Sequence, residues 1–204
     1  MTTAPEETLE KRAAAKPPGG IIVARHGEPD CDRTVRIDWR DYVDWWDAYD
    51  RAGLAPNQSP PIALEAATAD ADVVFASPLR RARETAAAIA RGKTAIVDEV
   101  FIEAPLPPPP LWGRRTPRAW GVVARIAWWL GRADGRETRR AAEQRAEAAV
   151  ATLTARALRG ETVVLVAHGW FNRMMRPVLK RQGWREVEDH GDSYWSFRRY
   201  EKRP

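Results

Sequence analysis

The sequence predicts one α/β domain, a three-layer α/β/α sandwich around a mostly parallel sheet. Three short apolar runs, 21–24, 73–76 and 162–167, are rich in β-branched residues and stop abruptly at polar ones. Strands buried on both faces of a parallel sheet read this way. Longer stretches with helical spacing lie between them, and this alternation is the pattern of a layered α/β fold. A chain of 204 residues with 44% apolar content is long enough for one full core and short for two.

Taken in order, residues 1–19 are polar, carry Pro5, Pro17 and Pro18, and read as a flexible arm before a domain over 20–204. The first strand, 21–24, runs into Arg25-His26-Gly27. A short helix is read over 42–49. The second strand, 73–76, ends at Ser77-Pro78, and a helix over 79–90 follows at once. A fourth strand candidate covers 95–97 and runs on through Phe101-Ile102. Residues 104–117 contain Pro105 and Pro107 to Pro110, which exclude helix and central strand and predict an extended surface loop. Helices are expected over 118–130 and 137–158, the second with Val150, Leu153 and Ala157 on one face. The third strand, 162–167, ends at His168-Gly169. A helix over 171–180 is expected to break or end near Pro177. The alternating segment 194–200 reads as an edge strand.

Composition narrows the function classes. There are 33 basic against 28 acidic residues, a net charge of +5 and a pI near 9.7. Almost all the basic residues are Arg, the side chain that forks onto carboxylate and phosphate, so an anionic substrate fits. Arg80 and Arg83 read as solvated helix residues instead. No basic run is long enough to indicate nucleic acid. Cys31 is the sole cysteine, so no disulfide framework exists. It has no activating neighbour and reads as inert. The first 20 residues lack a signal-like apolar stretch. The most apolar segment, 120–130, is broken by Arg125 and too short to span a bilayer. The expectation is a cytoplasmic protein without membrane partners.

In parallel α/β sheets ligands bind at the carboxyl ends of strands. Here those ends carry Arg25-His26, then Ser77 with Arg80 and Arg81 beyond it, then His168. If the strands are neighbours, two of the three histidines face each other among guanidinium groups. Gly27 and Gly169 allow sharp turns and close approach to the backbone. Such a pocket suits an oxyanion with several acceptors, above all phosphate. A neutral imidazole is a competent nucleophile toward phosphorus, and nearby cations keep it neutral. The same cations offset charge as a phosphoryl group moves. A leaving alkoxide needs a proton, and Glu103 is a reasonable donor. Rival motifs fail. A cysteine phosphatase needs Cys, five residues and then Arg, and from Cys31 that position is Ile37; a P-loop ending at Gly92-Lys93-Thr94 lacks its first Gly, since Ala87 is there. A zinc site on the two histidines conflicts with the surrounding Arg.

Arg25-His26-Gly27-Glu28, the segment from Ser77-Pro78-Leu79 through Arg81 to Thr85-Ala86, Glu103, and the late His168-Gly169 resemble the histidine phosphatase superfamily, its phosphoglycerate-mutase-like branch. The resemblance covers about residues 20–200. It implies that His26 is the phosphorylated nucleophile and that Arg25 and Arg81 hold the phosphoryl oxygens. It implies that His168 bonds the phosphoryl group and that Glu103 is the acid and then the base, with Glu99 and Asp98 as alternatives. Ser77, Glu28 and Gly169 are further substrate- or phosphate-binding candidates; Glu28 is equally a partner for an Arg, and Ser77 reads first as a helix N-cap whose hydroxyl is also open to the pocket. No metal and no organic cofactor are implied.

The chain departs from the pattern after the nucleophile, where an Asn is common and residues 29–34 hold none; Arg33 or a backbone amide is a substitute. Trp170 and Phe171 follow the second histidine where small residues are usual. The short chain favours a phosphatase over a phosphomutase, and a non-catalytic phospho-ligand-binding protein is the third reading. The expected partner is a phosphorylated small molecule. Trp112, Trp120, Trp128 and Trp129 read as core, as a homodimer face or as a substrate lid; adjacent Trp128 and Trp129 cannot share one helix face. Trp39, Trp45 and Trp46 are equally ambiguous. His190 reads as an exposed loop residue. Specificity is expected in residues 29–60 and 104–135.

Overall fold

The structure is a computed structural model that describes residues 16–202. Most of the expected arm, residues 1–15, therefore lies outside the described residues. Gly19 N–H donates to the Ala157 carbonyl at 2.8 Å, and Lys16 and Pro17 lie against Gly160.

The elements in chain order are β1 (Ile21–Arg25), α1 (Trp39–Arg51), α2 (Ile62–Thr68), β2 (Val73–Ala76), α3 (Arg80–Ile89) and β3 (Ile96–Val97). They continue with α4 (Pro117–Trp129), α5 (Arg139–Ala157), β4 (Val163–Ala167), α6 (Gly169–Arg181), β5 (Trp184–Asp189) and β6 (Phe197–Lys202). They build a mixed α/β domain with a six-stranded sheet ordered β3-β2-β4-β1-β6-β5. The first four strands in that order are parallel; β6 runs antiparallel to β1, and β5 antiparallel to β6.

Strand alternation sorts the core into two layers. Ile21, Val23, Val73, Phe75, Val163 and Leu165 face α5 and α6. Ile22, Ala24, Val74, Ala76, Val164 and Val166 face α2 and α3. Both faces of β1, β2 and β4 are covered, which explains their uninterrupted apolar runs. A smaller cluster of Tyr42, Trp120 and Ala124 joins α1 to α4 beside the sheet.

Several elements differ from expectation, each for a local reason. The helix expected over 42–49 is longer because Asp38 caps it, accepting from Arg40 N–H at 2.7 Å and Asp41 N–H at 3.1 Å. The fourth strand is only β3; Asp98 caps a 3₁₀ turn at Glu99–Phe101 that ends it. Helix α6 runs through Pro177, held by the burial of Met175, Val178 and Leu179. β6 is not an edge strand, because β5, whose Arg185 to Val187 are exposed, covers its outer side. The proline segment is partly interior, with Ala104, Pro107 and Pro108 buried. Trp128 is buried and Trp129 is 46% exposed, as adjacent helix positions require. His190 is exposed and stacks on Phe197. Among the described residues no helix is long and apolar enough to cross a membrane.

Candidate active site

The register of the parallel strands brings three chain segments to one edge. Arg25 pairs with Ala167 and Ala76 with Val166, so the next residues, His26, Ser77 and His168, emerge side by side. The His26 and His168 rings lie 5.0 Å apart, centroid to centroid. Helix α3 starts three residues after Ser77 and delivers Arg81 from its first turn. Arg80 points out instead and pairs with Glu84 at 2.7 Å.

The state of His26 follows from its two contacts. Nδ1 lies 2.7 Å from the Gly27 carbonyl, an acceptor only, so Nδ1 carries the proton. Nε2 then holds the lone pair, and Arg81 Nε–H donates to it at 3.3 Å. Burial, then Arg81 and Arg25, hold the His26 pKa well below its ordinary 6.5. Burial, then His26 and Arg81, do the same for His168. Both rings are therefore neutral at pH 7.

Arg81 is fully buried yet fully engaged. Besides His26 it donates to the Tyr49 carbonyl at 2.8 Å and to Asp50 at 3.1 Å, and its guanidinium lies 4.4 Å over the Tyr49 ring. Burial raises the Asp50 pKa, and Arg81 opposes this. Arg25 donates to the Asp192 carbonyl and lies 4.3 Å over the Tyr194 ring. A Cβ at Gly169 would come within 3.2 Å of Arg25 Nε, so this glycine makes room for the arginine. At Gly27 a Cβ would meet the Trp195 ring at 2.4 Å. Trp195 itself has φ of 62°, the left-handed region that non-glycine residues rarely adopt.

Ser77 is fully buried and its Oγ lies 2.7 Å from His168 Nε2. It is not the helix cap: that position is Leu79, and its N–H reaches Ser77 Oγ only at 3.4 Å. His168 Nδ1 is buried without a partner. Glu103 sits at the first turn of α6 and accepts from Phe171 N–H at 2.9 Å, Trp170 N–H at 3.2 Å and Ala104 N–H at 3.0 Å. Glu99 and Asp98 stay in the 3₁₀ turn. Glu28 departs from expectation: it is exposed and outside the cavity, and its backbone N–H and carbonyl are both bound by Gln58.

His26, Arg25, Arg81, Glu103 and Gly169 border one cavity of about 490 Å³. His168 lies behind His26, outside its lining. Residues that sequence reasoning did not place here also line it. Arg125 from α4 binds the Ala104 and Pro105 carbonyls, and burial pulls its pKa down to about 10, with Glu103 opposing. Tyr49, Arg118, Arg173 and Asp192 also line it, while Tyr194 lies against His26 at 5.6 Å. Arg33, weighed only as a stand-in for a missing Asn, lines the cavity and donates to Tyr194 Oη. These groups arrive by tertiary packing from segments without a motif. Among the described residues no group of three His, Cys, Asp or Glu is placed to hold a metal.

The fold thus sets a buried histidine pair beside several arginines at the carboxyl edge of a parallel sheet. The chain belongs to the histidine phosphatase superfamily (branch 1), whose pattern matches residues 21–192. No curated protein sequence matches it. Solved structures do. A protein described as mycobacterial hydrolase 2 is 24% identical with a TM-score of 0.56, over 81% of this chain and 73% of that one. Mycobacterial glucosyl-3-phosphoglycerate phosphatase in complex with VO3 is 24% identical with a TM-score of 0.53, over 80% and 82%. A phosphoserine phosphatase mutant from Entamoeba histolytica, in complex with phosphoserine, is 20% identical with a TM-score of 0.50, over 79% and 78%. At these identities the likeness is one of fold.

Proposed function

We propose that the protein hydrolyses phosphate monoesters without a metal, through a phosphohistidine on Nε2 of His26. One observation carries this reading: a buried imidazole, held neutral, whose Nε2 lone pair lies beside a fixed guanidinium at a substrate-sized cavity. Nε2 attacks phosphorus while the ester oxygen leaves. Glu103 is assigned the transfer of a proton to that oxygen and then the removal of one from the water that attacks phosphorus and breaks the P–N bond. Inorganic phosphate and free His26 result. The Arg81 Nε–H that faces the lone pair is assigned to a phosphoryl oxygen, and Arg25 to another, so charge is offset where it develops. His168, oriented by Ser77, is assigned the second contact to the phosphoryl group. Gly169 leaves Arg25 its space. Glu28 is assigned no part in the chemistry.

The test is hydrolysis of an aryl phosphate with acid quenching of the reaction. Wild type yields free phosphate and an acid-labile phosphoenzyme, and His26→Ala yields neither. Full turnover by His26→Ala would overturn the mechanism. Product analysis separates this reading from a phosphomutase, which returns an isomerised ester in place of phosphate.

A further inference from the structure

We propose that the substrate is a phosphate monoester of a long apolar alcohol, whose chain leaves the cavity along one stripe of α4; this rests on the phosphatase reading above. The first support is the chemistry of the walls. Tyr42, Trp45, Trp46, Leu106, Val122 and Ile126 form an apolar part of them, interleaved with Arg33, Arg118, Arg125 and Arg173. Among the lining residues there is no Ser, Thr, Asn, Gln or Lys. Over the apolar part of these walls a sugar or glycerate phosphate would leave hydroxyls unpaired, and unpaired buried polar groups are costly. An apolar chain meets no such penalty there.

The second support is α4 itself. One face, Pro117, Trp120, Ala124 and Trp128, is buried. A second apolar stripe, Val122, Ile126 and Trp129, follows the i, i+4, i+7 spacing of a helix face and is 57%, 57% and 46% exposed. Leu130 extends it at 81% exposure. A helix needs only one apolar stripe to bind its own core.

The third support is continuity. Val122 and Ile126 line the cavity and are also exposed, so they form its mouth. Trp129 meets Trp170, a cavity wall, edge to face with centroids 6.0 Å apart. From Val122 to Trp129 the helix rises roughly 10 Å, about the length of an extended octyl chain. An apolar path thus leads from the cavity mouth to the outside of α4, with the Arg125 guanidinium over the Trp170 ring and that of Arg139 over the Trp129 ring.

The experiment is a series of methyl, butyl, octyl and decyl phosphates below micelle formation, compared with 3-phosphoglycerate and phosphoserine. We expect kcat/KM to rise about two- to fourfold per methylene until the stripe is covered. Trp129→Ser should lower the decyl-to-butyl ratio of kcat/KM several-fold. Equal rates along the series, or preference for 3-phosphoglycerate or phosphoserine over decyl phosphate, would overturn this proposal while leaving the phosphatase reading intact. No hydrolysis of any ester would overturn both. A wild-type dimer in sedimentation that Trp129→Ser splits, with the chain-length slope unchanged, would make the stripe a subunit interface and also overturn the proposal.

Discussion

Neutral burial of two histidines makes the stability of this protein pH-dependent in a window of its own. In the unfolded chain His26 and His168 titrate near 6.5; in the fold both are held well below it, chiefly by burial. Below pH 6.5 the unfolded state takes up protons that the folded state excludes, so stability falls as pH falls. Each histidine then contributes a slope of about 1.4 kcal/mol per pH unit. While both rings stay neutral in the fold, the pair should remove about 3 kcal/mol between pH 6.5 and pH 5, a fifth or more of the stability of an ordinary domain. The carboxylates whose pKa values are lowered, Asp32, Asp38, Glu84, Asp189 and Asp192, do not confuse the window, since their contributions are lost only below about pH 4–5. The assay is urea unfolding at several pH values from 7.5 to 5 for wild type, His26→Gln and His168→Gln. Each variant should show a slope shallower by about 1.4 kcal/mol per pH unit. Curves parallel to wild type would mean that the rings protonate inside the fold, and the argument for a neutral nucleophile would fail. The kinetic counterpart is an acid limb of kcat/KM displaced well below pH 6.5, to the lowered folded-state pKa of His26.

Arg81→Lys keeps a positive charge but cannot reach His26, the Tyr49 carbonyl and Asp50 together, so kcat for an aryl phosphate should fall about 10²–10³-fold. A fall of less than threefold would remove Arg81 from the cradle. Gly27→Ala drives a methyl into the Trp195 ring and should cost about 1–3 kcal/mol in thermal or urea unfolding. Unchanged stability would mean that Trp195 yields freely. Prolonged dialysis against EDTA should leave phosphatase activity unchanged, and a large loss would point to metal chemistry.

The buried parallel strands were readable because burial on both faces forces continuous apolar runs, as in 163–167. β5 was not, because Arg185, Glu186 and Val187 are exposed and the strand carries little apolar signal. α2, with seven residues, is too short to show a period, and Pro177 suggested an end that packing overrides. In the site, topology gathers residues at or just beyond strand ends, Arg25, His26, Ser77 and His168, and the helix that follows β2 adds Arg81. Glu28 shows the limit of adjacency, because two residues beyond His26 the chain has already turned to Gln58. Tyr49, Arg125, Tyr194 and Asp192 come from segments whose placement depends on how α1, α4 and the approach to β6 pack. No pattern in their own neighbourhoods announces them.

The lateness of β6 in the chain has a consequence for biosynthesis. His26 emerges from the ribosome near the start, but its surroundings are completed by residues 192–196, just ahead of the last strand. Asp192 holds Arg25, Tyr194 lies against His26, Trp195 covers Gly27, and Ser196 O accepts from Arg25 N–H. At ordinary translation rates of about 5–20 residues per second, roughly ten seconds or more separate the two ends. Over that interval the nascent chain carries His26 without the enclosure that sets its charge state. On the phosphatase reading, phosphoryl transfer would wait until residues 192–202 have left the ribosomal tunnel and β6 has paired with β1.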